Sequence, residues 1–341
     1  MKISNPGYLG LRAVLFAAAV TLSSCNSLIY DGEGDCTSHN SATFRYEANV
    51  LKSDAFGRMV TGVNLYVFHK DGSPAGIYRQ TRESSADNDF RLPLDLPPGE
   101  YDMVAWCTGT AASPRPVGFE ITDKPTVIAD LSATLPLSVG SDGKLRSSSD
   151  ITPLFHGMAT GIRITDAPGE AVLDPIYLIK DTNRINIILQ NLDGTPMSPG
   201  EYIFEITGSG DRLDCRNNVV PSSPFTFGSW ETLQTSAALV KSDDAGAGIM
   251  ARLTTSRLMT DIEQTVNISL ASTGETVISF PLIEYLLMIK DNYSVFNSAQ
   301  EYLDGVDEFT FNLFMDKGNI WAKARILING WRVVPDQGVE M

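Results

Sequence analysis

Apolar and polar residues alternate with a period of two along much of the chain, which is the pattern of half-buried β-strands. Val63–Phe68 alternates in this way and stops at the polar turn sequence Lys70-Asp71-Gly72-Ser73. The segment Tyr101–Cys107 follows a Pro-Pro-Gly turn and is predicted to be a core strand. The other strands predicted in the same way are Thr43–Val50, Asp174–Ile179, Arg184–Leu189, Tyr202–Thr207 and Thr265–Ala271.

The C-terminal region shows the clearest hairpin pattern of the sequence. The first strand places four apolar residues on one face, namely Phe309, Phe311, Leu313 and Met315. Residues 316–319 are predicted to form a turn, and a second strand is predicted over 322–334. The apolar face of that strand consists of Ala322, Ala324, Ile326 and Ile328, with Lys323 and Arg325 on the opposite face. One buried and one solvated face is typical of antiparallel strands.

Helical patterns are scarce, and the best example is the apolar stripe of residues 282–289 after Pro281. The sequence Pro98-Gly99-Glu100-Tyr101 recurs 101 residues later, so each half of the chain contains the same turn leading into a strand. A spacing near 100 residues suits a β-sandwich domain. We therefore predict an all-β protein with two tandem β-sandwiches, residues 37–167 and 168–341, and at most one or two short helices.

The N-terminal segment differs in composition from the remainder of the chain. A short basic region precedes the apolar run Ala13–Val20, which is typical of a secretory signal and is too short to span about 30 Å of hydrocarbon. The run ends in Leu22-Ser23-Ser24-Cys25, which resembles the bacterial lipobox, where the cysteine receives lipid and becomes the first mature residue. We predict a lipoprotein signal peptide over 1–24 and a lipidated tether over 25–36. An ordinary signal peptide with a cysteine near its cleavage point is the alternative.

Three further cysteines, Cys36, Cys107 and Cys215, follow the predicted lipid-bearing Cys25. Export permits disulfides, so one pair and one buried thiol is the simplest arrangement. Cys36 and Cys107 both lie in the first predicted domain. They are the candidate disulfide, with Cys215 reduced.

Charge and motif content exclude several classes of function. The sequence has 26 Lys and Arg against 41 Asp and Glu, a net charge of −15, and nucleic-acid affinity depends on cationic side chains that neutralise phosphates. The three histidines (His39, His69 and His156) show no metal-ligand spacing, and no hydrolase, zinc-protease or nucleotide-binding motif is present. We therefore predict a non-catalytic protein with no catalytic residue, no cofactor, no metal site and no nucleic-acid partner.

Two kinds of side chain leave alternatives open. His156 follows Phe155 in an apolar setting and is predicted to be a hydrogen-bonded core residue. Trp106 is predicted to be core, whereas Trp321 and Trp331 are predicted to face away from the apolar side of the last strand. Such aromatic side chains stack on sugars, so a glycan-binding surface remains the alternative function.

Several separated segments resemble the Bacteroidetes-type fimbrial anchor lipoprotein family, whose members are minor fimbrium anchor subunits. The first is the lipobox followed by Ile29-Tyr30-Asp31-Gly32-Glu33-Gly34-Asp35-Cys36. The others, in chain order, are Asp54–Phe56, Val63–Phe68, Leu96–Tyr101, Val104–Cys107, Leu154–Gly157, Thr182–Ile185, Glu301–Asp304, Phe309–Phe314 and Ile328–Trp331. Together they extend over nearly the whole mature chain in order.

The resemblance implies two transthyretin-like β-sandwiches on a lipid anchor, holding the base of a fimbrium at the outer membrane. It implies a structural role in fimbrial assembly and defines no catalytic residue, so only Cys25 carries over as a functional position. The expected partners are fimbrial shaft subunits and the outer membrane, the latter bound through the lipid on Cys25. From the strand pattern we further predict that the subunits bind by strand addition at the C-terminal hairpin or at the edge that it leaves open. The alternative is that this hairpin only completes the second sandwich. The expected location is the cell outer membrane, with the folded part exposed at the surface.

Overall fold

The computed structural model describes residues 38–85, 89–140, 142–235, 248–316, 318 and 320–333. The strands that precede the middle of the chain are β1 (Ser38–Ala42), β2 (Phe44–Arg45), β3 (Gly62–His69), β4 (Pro74–Thr81), β5 (Leu92–Leu94), β6 (Gly99–Thr108), β7 (Glu120–Ile121), β8 (Ser132–Thr134), β9 (Ser138–Val139), β10 (Leu145–Ser147), β11 (Leu154–Ile164), β12 (Gly169–Val172), β13 (Ile176–Tyr177) and β14 (Ile179–Lys180).

The strands of the second half are β15 (Thr182–Asn191), β16 (Tyr202–Gly208), β17 (Arg212–Asp214), β18 (Phe225–Gly228), β19 (Glu231–Gln234), β20 (Ile249–Ser256), β21 (Thr265–Leu270), β22 (Thr276–Pro281), β23 (Glu308–Asp316), β24 (Ile320–Ile328) and β25 (Trp331–Val333). The helices are α1 (Phe56–Met59), α2 (Leu282–Leu287) and α3 (Ala299–Gly305), with 3₁₀ turns at Ile128–Asp130 and Lys290–Asn292. The predicted all-β class is confirmed, as is the short helix after Pro281. The described residues contain three short α-helices, one more than the one or two predicted.

The first sandwich is built around a five-stranded antiparallel sheet in the order β14-β11-β6-β3-β4. One face of this sheet packs against the small sheet β12-β1-β5 and the strand pair β13-β2. Alternate residues of β6, such as Met103 and Ala105, point into this core, which also contains Phe44, Phe56 and Phe155. The residues that alternate with a period of two in the sequence are therefore those on the face of the sheet that packs into this core.

The opposite face of the five-stranded sheet is covered as well. Val104 and Trp106, which alternate with the residues just named, pack with Leu154 under the three-stranded sheet β17-β8-β7. Leu213 and Cys215 come from β17 and the turn after it, although both neighbours of β17 in the chain lie in the second sandwich. A sheet buried on both faces needs apolar residues at successive positions, which explains the run Val104-Ala105-Trp106-Cys107.

The second sandwich consists of two six-stranded sheets. Their strand orders are β19-β20-β15-β23-β24-β25 and β22-β21-β16-β18-β10-β9. Aromatic and aliphatic side chains from both sheets, including Phe204, Phe227, Phe309 and Phe311, fill one continuous core. Helices α2 and α3 close this core through Leu286 and Tyr302.

The two sandwiches exchange strands. Strands β9 and β10 precede β11 in the chain but join the second sandwich, where β10 pairs with β18 and β9 pairs with β10. Strands β12–β14 follow β11 and pair within the first sandwich. Strand β17 crosses in the other direction and pairs with β8. The pairings therefore run across the predicted boundary between residues 167 and 168, and the domain limits stay a prediction.

The C-terminal hairpin forms as predicted, but the strand after it does not continue to residue 334. Strands β23 and β24 pair antiparallel, and Phe309, Phe311, Leu313 and Met315 are fully buried. Asn329 and Gly330 have φ values of 50° and 83°, and the chain reverses there into β25. Two successive positive φ values are typical of a type I′ turn, for which Asn-Gly is the preferred sequence. The sequence Asn329-Gly330 therefore indicated a turn, and this turn ends the strand even though the apolar alternation continues beyond it.

Trp321 also lies on the other face from the one predicted. Leu313 pairs with Ile326 but Met315 pairs with Trp321, so the register shifts by an odd number of residues between the two pairs. An odd shift reverses which side chains face the core. Trp321 consequently packs against Phe280, with ring centroids 5.6 Å apart.

Candidate functional site

The N-terminal end of the described chain fixes where a lipid anchor would leave the fold. Cys25 and Cys36 lie outside the described residues. Ser38, the first described residue, follows Cys25 by 13 positions and pairs with Gly169 through β1 and β12. Thirteen residues span at most about 45 Å when fully extended, so a lipid on Cys25 would hold the first sandwich within that distance of a membrane.

Cys107, the other member of the candidate disulfide, lies near the end of β6. Its side chain is fully buried, and burial raises the pKa of the thiol well above its usual value. Cys107 pairs with Phe155, whereas Ser38 lies near the opposite end of the sandwich, since the adjacent Asn40 pairs with Leu94 just before the turn into β6. Because Cys36 lies outside the described residues, the Cys36–Cys107 bridge stays a prediction.

His156 is the hydrogen-bonded core residue that the sequence predicted. Its Nε2 lies 3.0 Å from the backbone oxygen of Cys215, and its ring contacts the Trp106 ring edge-on at a centroid distance of 4.6 Å. Burial lowers the pKa of His156 to about 4, so the imidazole is neutral at physiological pH. His156 therefore joins β11 to the turn after β17 and holds the crossing segment on the first sandwich.

A buried polar network occupies the point where the chain passes from β14 to β15. Arg257, which follows β20, binds both carboxylate oxygens of Asp304 in α3, at 2.9 and 2.8 Å. Its remaining nitrogen donates to the backbone oxygen of Asn217, and the Asn217 amide donates to Asp181 at 2.7 Å. Asp181 lies between β14 and β15 and is fully buried. The network therefore ties together four separate segments at the junction of the sandwiches.

Two carboxylates surround one guanidinium in this network. Burial raises the pKa of Asp181 to about 8, although Arg257 at 4.0 Å and the Asn217 amide both act in the opposite direction. Sequence reasoning missed Asp181, Asn217, Arg257 and Asp304, because residues so distant in the chain come together only through the exchange of strands. The one available signal was the polar run Asp181-Thr182-Asn183-Arg184 between two apolar strands.

The outermost described strand at the C-terminal end is β25, which pairs with β24 through Trp331, Arg332 and Val333. Trp331 is 50% exposed and Val333 is buried. In a hairpin with a two-residue turn, the residues that flank the turn, Ile328 and Trp331, are a hydrogen-bonded pair. Because hydrogen-bonded and non-hydrogen-bonded pairs alternate along the strands, the N–H of the next residue, Arg332, points away from β24. The strand therefore presents an outward backbone donor at the edge of the sheet.

The described residues contain no group of three or more His, Cys, Asp or Glu side chains that could hold a metal ion. In the same part of the chain, no helix is both long and apolar enough to cross a membrane. The charged cluster around Arg257 is a buried ion-pair network at the junction of the sandwiches.

Two interlocked sandwiches with buried junction residues define a tandem β-sandwich protein. The chain belongs to the family of fimbrillin-A associated anchor proteins Mfa1 and Mfa2, whose family model matches residues 33–336. The family expected from the sequence is thereby confirmed.

Individual relatives agree with this assignment. The minor fimbrium anchoring subunit Mfa2 of Porphyromonas gingivalis is 23% identical over 327 residues, which cover 92% of this chain and 90% of the relative. A candidate adhesin of Bacteroides thetaiotaomicron is 28% identical, with a TM-score of 0.72 over 87% of this chain and 98% of its own. The structure of the Porphyromonas gingivalis fimbrial anchor protein Mfa2 shares the fold, with 18% identity, a TM-score of 0.62, and coverage of 88% and 99%.

Proposed function

We propose that this protein is a lipoprotein that anchors the base of a fimbrium at the outer membrane and takes part in fimbrial assembly, without catalysis. The observation that carries the proposal is the family match over residues 33–336, directly behind the lipobox that ends at Cys25. A relative of similar length, matched over 92% of this chain, is a minor fimbrium anchoring subunit.

In this role Cys25 carries the lipid, and residues 25–36 act as the tether. Several acyl chains on one protein hold it stably on a membrane, whereas a single chain binds only marginally. The tether is short, so it keeps the first sandwich near the membrane. The sandwiches then face outward as the base on which a fimbrium is assembled.

We further propose that fimbrial shaft subunits bind by strand addition at the edge formed by β25. An edge strand offers unpaired N–H and C=O groups that template another strand. The outward donor of Arg332 and the half-exposed Trp331 support this choice of edge. Strand β24 lies inside the sheet between β23 and β25, so β25 and not β24 forms this edge of the described sheet.

A glycan-binding adhesin is the alternative, and the tryptophans offer it little support. Trp106 is fully buried and Trp321 packs against the core. The indole N–H of Trp230 donates to Thr254 at 3.0 Å, which leaves Trp331 as the half-exposed member of the four. One exposed indole does not make an aromatic platform.

The anchoring proposal is tested by Cys25→Ser, with Cys36→Ser as the matched control. We expect Cys25→Ser to move the protein from the membrane fraction to the soluble fraction and to release fimbriae into the medium. Cys36→Ser removes a nearby thiol outside the lipobox and should leave the protein on the membrane. Retention of the Cys25→Ser protein on the membrane would overturn lipidation at this residue, and fimbriae that stay attached to cells would overturn the anchoring role.

A further inference from the structure

A small polar cleft lies between the two sandwiches, beside the β14–β15 junction. It has a volume of about 220 Å³. The first sandwich and its loops contribute Met59, Thr110 and Pro153 to its lining, and the second contributes Arg184, Thr254 and Glu308. Ligand sites are common at such domain junctions. We call this space the interdomain cleft.

Most charged groups of the interdomain cleft already have partners within the protein. Asp150 accepts from the backbone N–H groups of Ala112 and Ser113, each at 2.8 Å, and from the Thr254 hydroxyl at 2.9 Å. Lys180 is paired with Asp307. The acids that line the cleft are therefore satisfied by fixed donors and do not require a cation.

Glu308 and Arg184 are opposite each other on the neighbouring strands β23 and β15, but their side chains form no ion pair. The Glu308 carboxylate accepts from the Asn186 amide at 2.9 Å. The Nε–H of Arg184 is buried and has no acceptor among the described residues, and its guanidinium makes no ion pair with a described acid. A buried donor without an acceptor is rare in folded proteins and destabilises them. Arg184 thus lines the cleft as a guanidinium without an acidic partner among the described residues.

We propose that the interdomain cleft binds a carboxylate group through the guanidinium of Arg184. The planar fork of a guanidinium matches a carboxylate with two parallel hydrogen bonds. Asp150, Asp307 and Glu308 line the same cleft, so a monoanionic carboxylate is repelled less than a dianionic phosphate. At about 220 Å³ the cleft is small and suits one acidic side chain or one small acid.

The carboxylate has two sources, a free small acid or an acidic side chain of a docking protein, and two probes distinguish them. The first probe is acetate, and the second is the peptide acetyl-Gly-Glu-Gly-amide, with the Gln peptide as its comparison. Binding is followed in the full mature chain by the Nε–H NMR signal of Arg184 and by calorimetry. Equal affinity for acetate and the Glu peptide assigns a free acid, and at least about tenfold tighter binding of the Glu peptide assigns a protein side chain.

Variants test the role of Arg184 itself. Arg184→Gln should weaken carboxylate binding at least about tenfold, and Arg184→Lys should weaken it less, because the charge remains while the fork is lost. Arg163→Gln, on the exposed side of β11, is the matched control and should bind like the wild type. Thermal unfolding of each variant checks that the fold is intact.

The proposal is independent of membrane anchoring, which the fractionation of Cys25→Ser tests separately. It is overturned if neither carboxylate probe binds saturably to the wild-type protein, if phosphate binds more tightly than either, or if folded Arg184→Gln binds them with unchanged affinity. Saturable binding that requires Arg184 supports it with either probe.

Discussion

Arg257 is the charged residue on which the junction of the sandwiches depends most directly. It is 9% exposed, binds Asp304 in a bidentate manner, and reaches the segments that carry Asn217 and Asp181. A buried ion pair contributes little relative to apolar residues of the same shape, but the loss of one partner leaves an uncompensated charge. The cost of breaking the network is therefore expected to exceed what it contributes.

We predict that Arg257→Leu lowers the free energy of unfolding by about 3–5 kcal/mol, because the buried Asp304 carboxylate loses its bidentate cation. Urea unfolding at neutral pH measures this difference. Lys52→Met is the matched control. It breaks the more exposed Lys52–Glu301 pair, at 2.7 Å, and should cost less than about 1 kcal/mol. Equal effects of the two variants would show that the network around Arg257 has no special role in stability.

Asp181 should make stability depend on pH in an unusual direction for a carboxylate. The folded state raises the pKa of Asp181 from 3.8 to about 8, so between these values the folded protein holds a proton that the unfolded chain has released. The folded state binds more protons in that window, and its stability falls as pH rises, by up to about 1.4 kcal/mol per pH unit.

The test compares wild type with Asp181→Asn, whose side chain stays neutral, by urea unfolding from pH 5 to pH 8. The difference in unfolding free energy between the two proteins should change in favour of Asp181→Asn as the pH rises. Parallel pH profiles would mean that Asp181 is ionised in the folded protein.

At the scale of elements, strand β25 decides which edge the second sandwich presents. It pairs with β24 because Asn329 and Gly330 reverse the chain, and it ends the described sheet. A proline at an outward-facing position removes a donor that a partner strand would use but leaves the pairing with β24 intact.

We predict that Arg332→Pro keeps the fold, lowers the free energy of unfolding by less than about 1 kcal/mol, and weakens capture of purified fimbrial shaft subunit at least about tenfold. Val333→Pro is the comparison, because its N–H faces β24 and its side chain is buried. This second variant should lower stability by separating β25 from the sheet. A folded Arg332→Pro protein that captures the subunit like wild type would place the binding site elsewhere.

At the scale of the whole molecule, the exchange of strands makes each sandwich incomplete without the other. The first lacks the cover of Leu213 and Cys215 unless β17 is in place, and the second lacks β9 and β10 unless residues 138–147 cross over. Lys52 of the first sandwich also contacts the Phe296 ring at 4.5 Å. We infer that the two sandwiches form one structural unit.

The expected consequence is a single thermal transition in which the calorimetric and van't Hoff enthalpies agree. Arg257→Leu should shift that transition as a whole to lower temperature. Two resolved transitions in the wild-type protein, or a stable single-sandwich fragment after limited proteolysis, would contradict this coupling.

The local pattern of apolar and polar residues was sufficient to predict which side chains are buried wherever a strand packs against a single core. The alternation in 309–315 predicted the buried face of β23, and the apolar setting of His156 predicted its place in the core. Period and burial are linked in these segments because each side chain points directly into its own sheet's core. The resemblance in separated motifs was enough to predict the family.

Tertiary structure decided whatever depends on residues far apart in the chain. The odd register shift in β24 turned Trp321 inward, and the crossing of β17 and β10 brought together the sandwiches and the network around Arg257. No local period encodes such pairings, because the partner strand comes from another part of the chain and only the packed fold selects it. The sequence by itself therefore determined the strand content, the lipobox and the family. The tertiary structure determined the strand exchange, the interdomain cleft that holds Arg184, and the edge that β25 presents, because each requires contacts between distant segments.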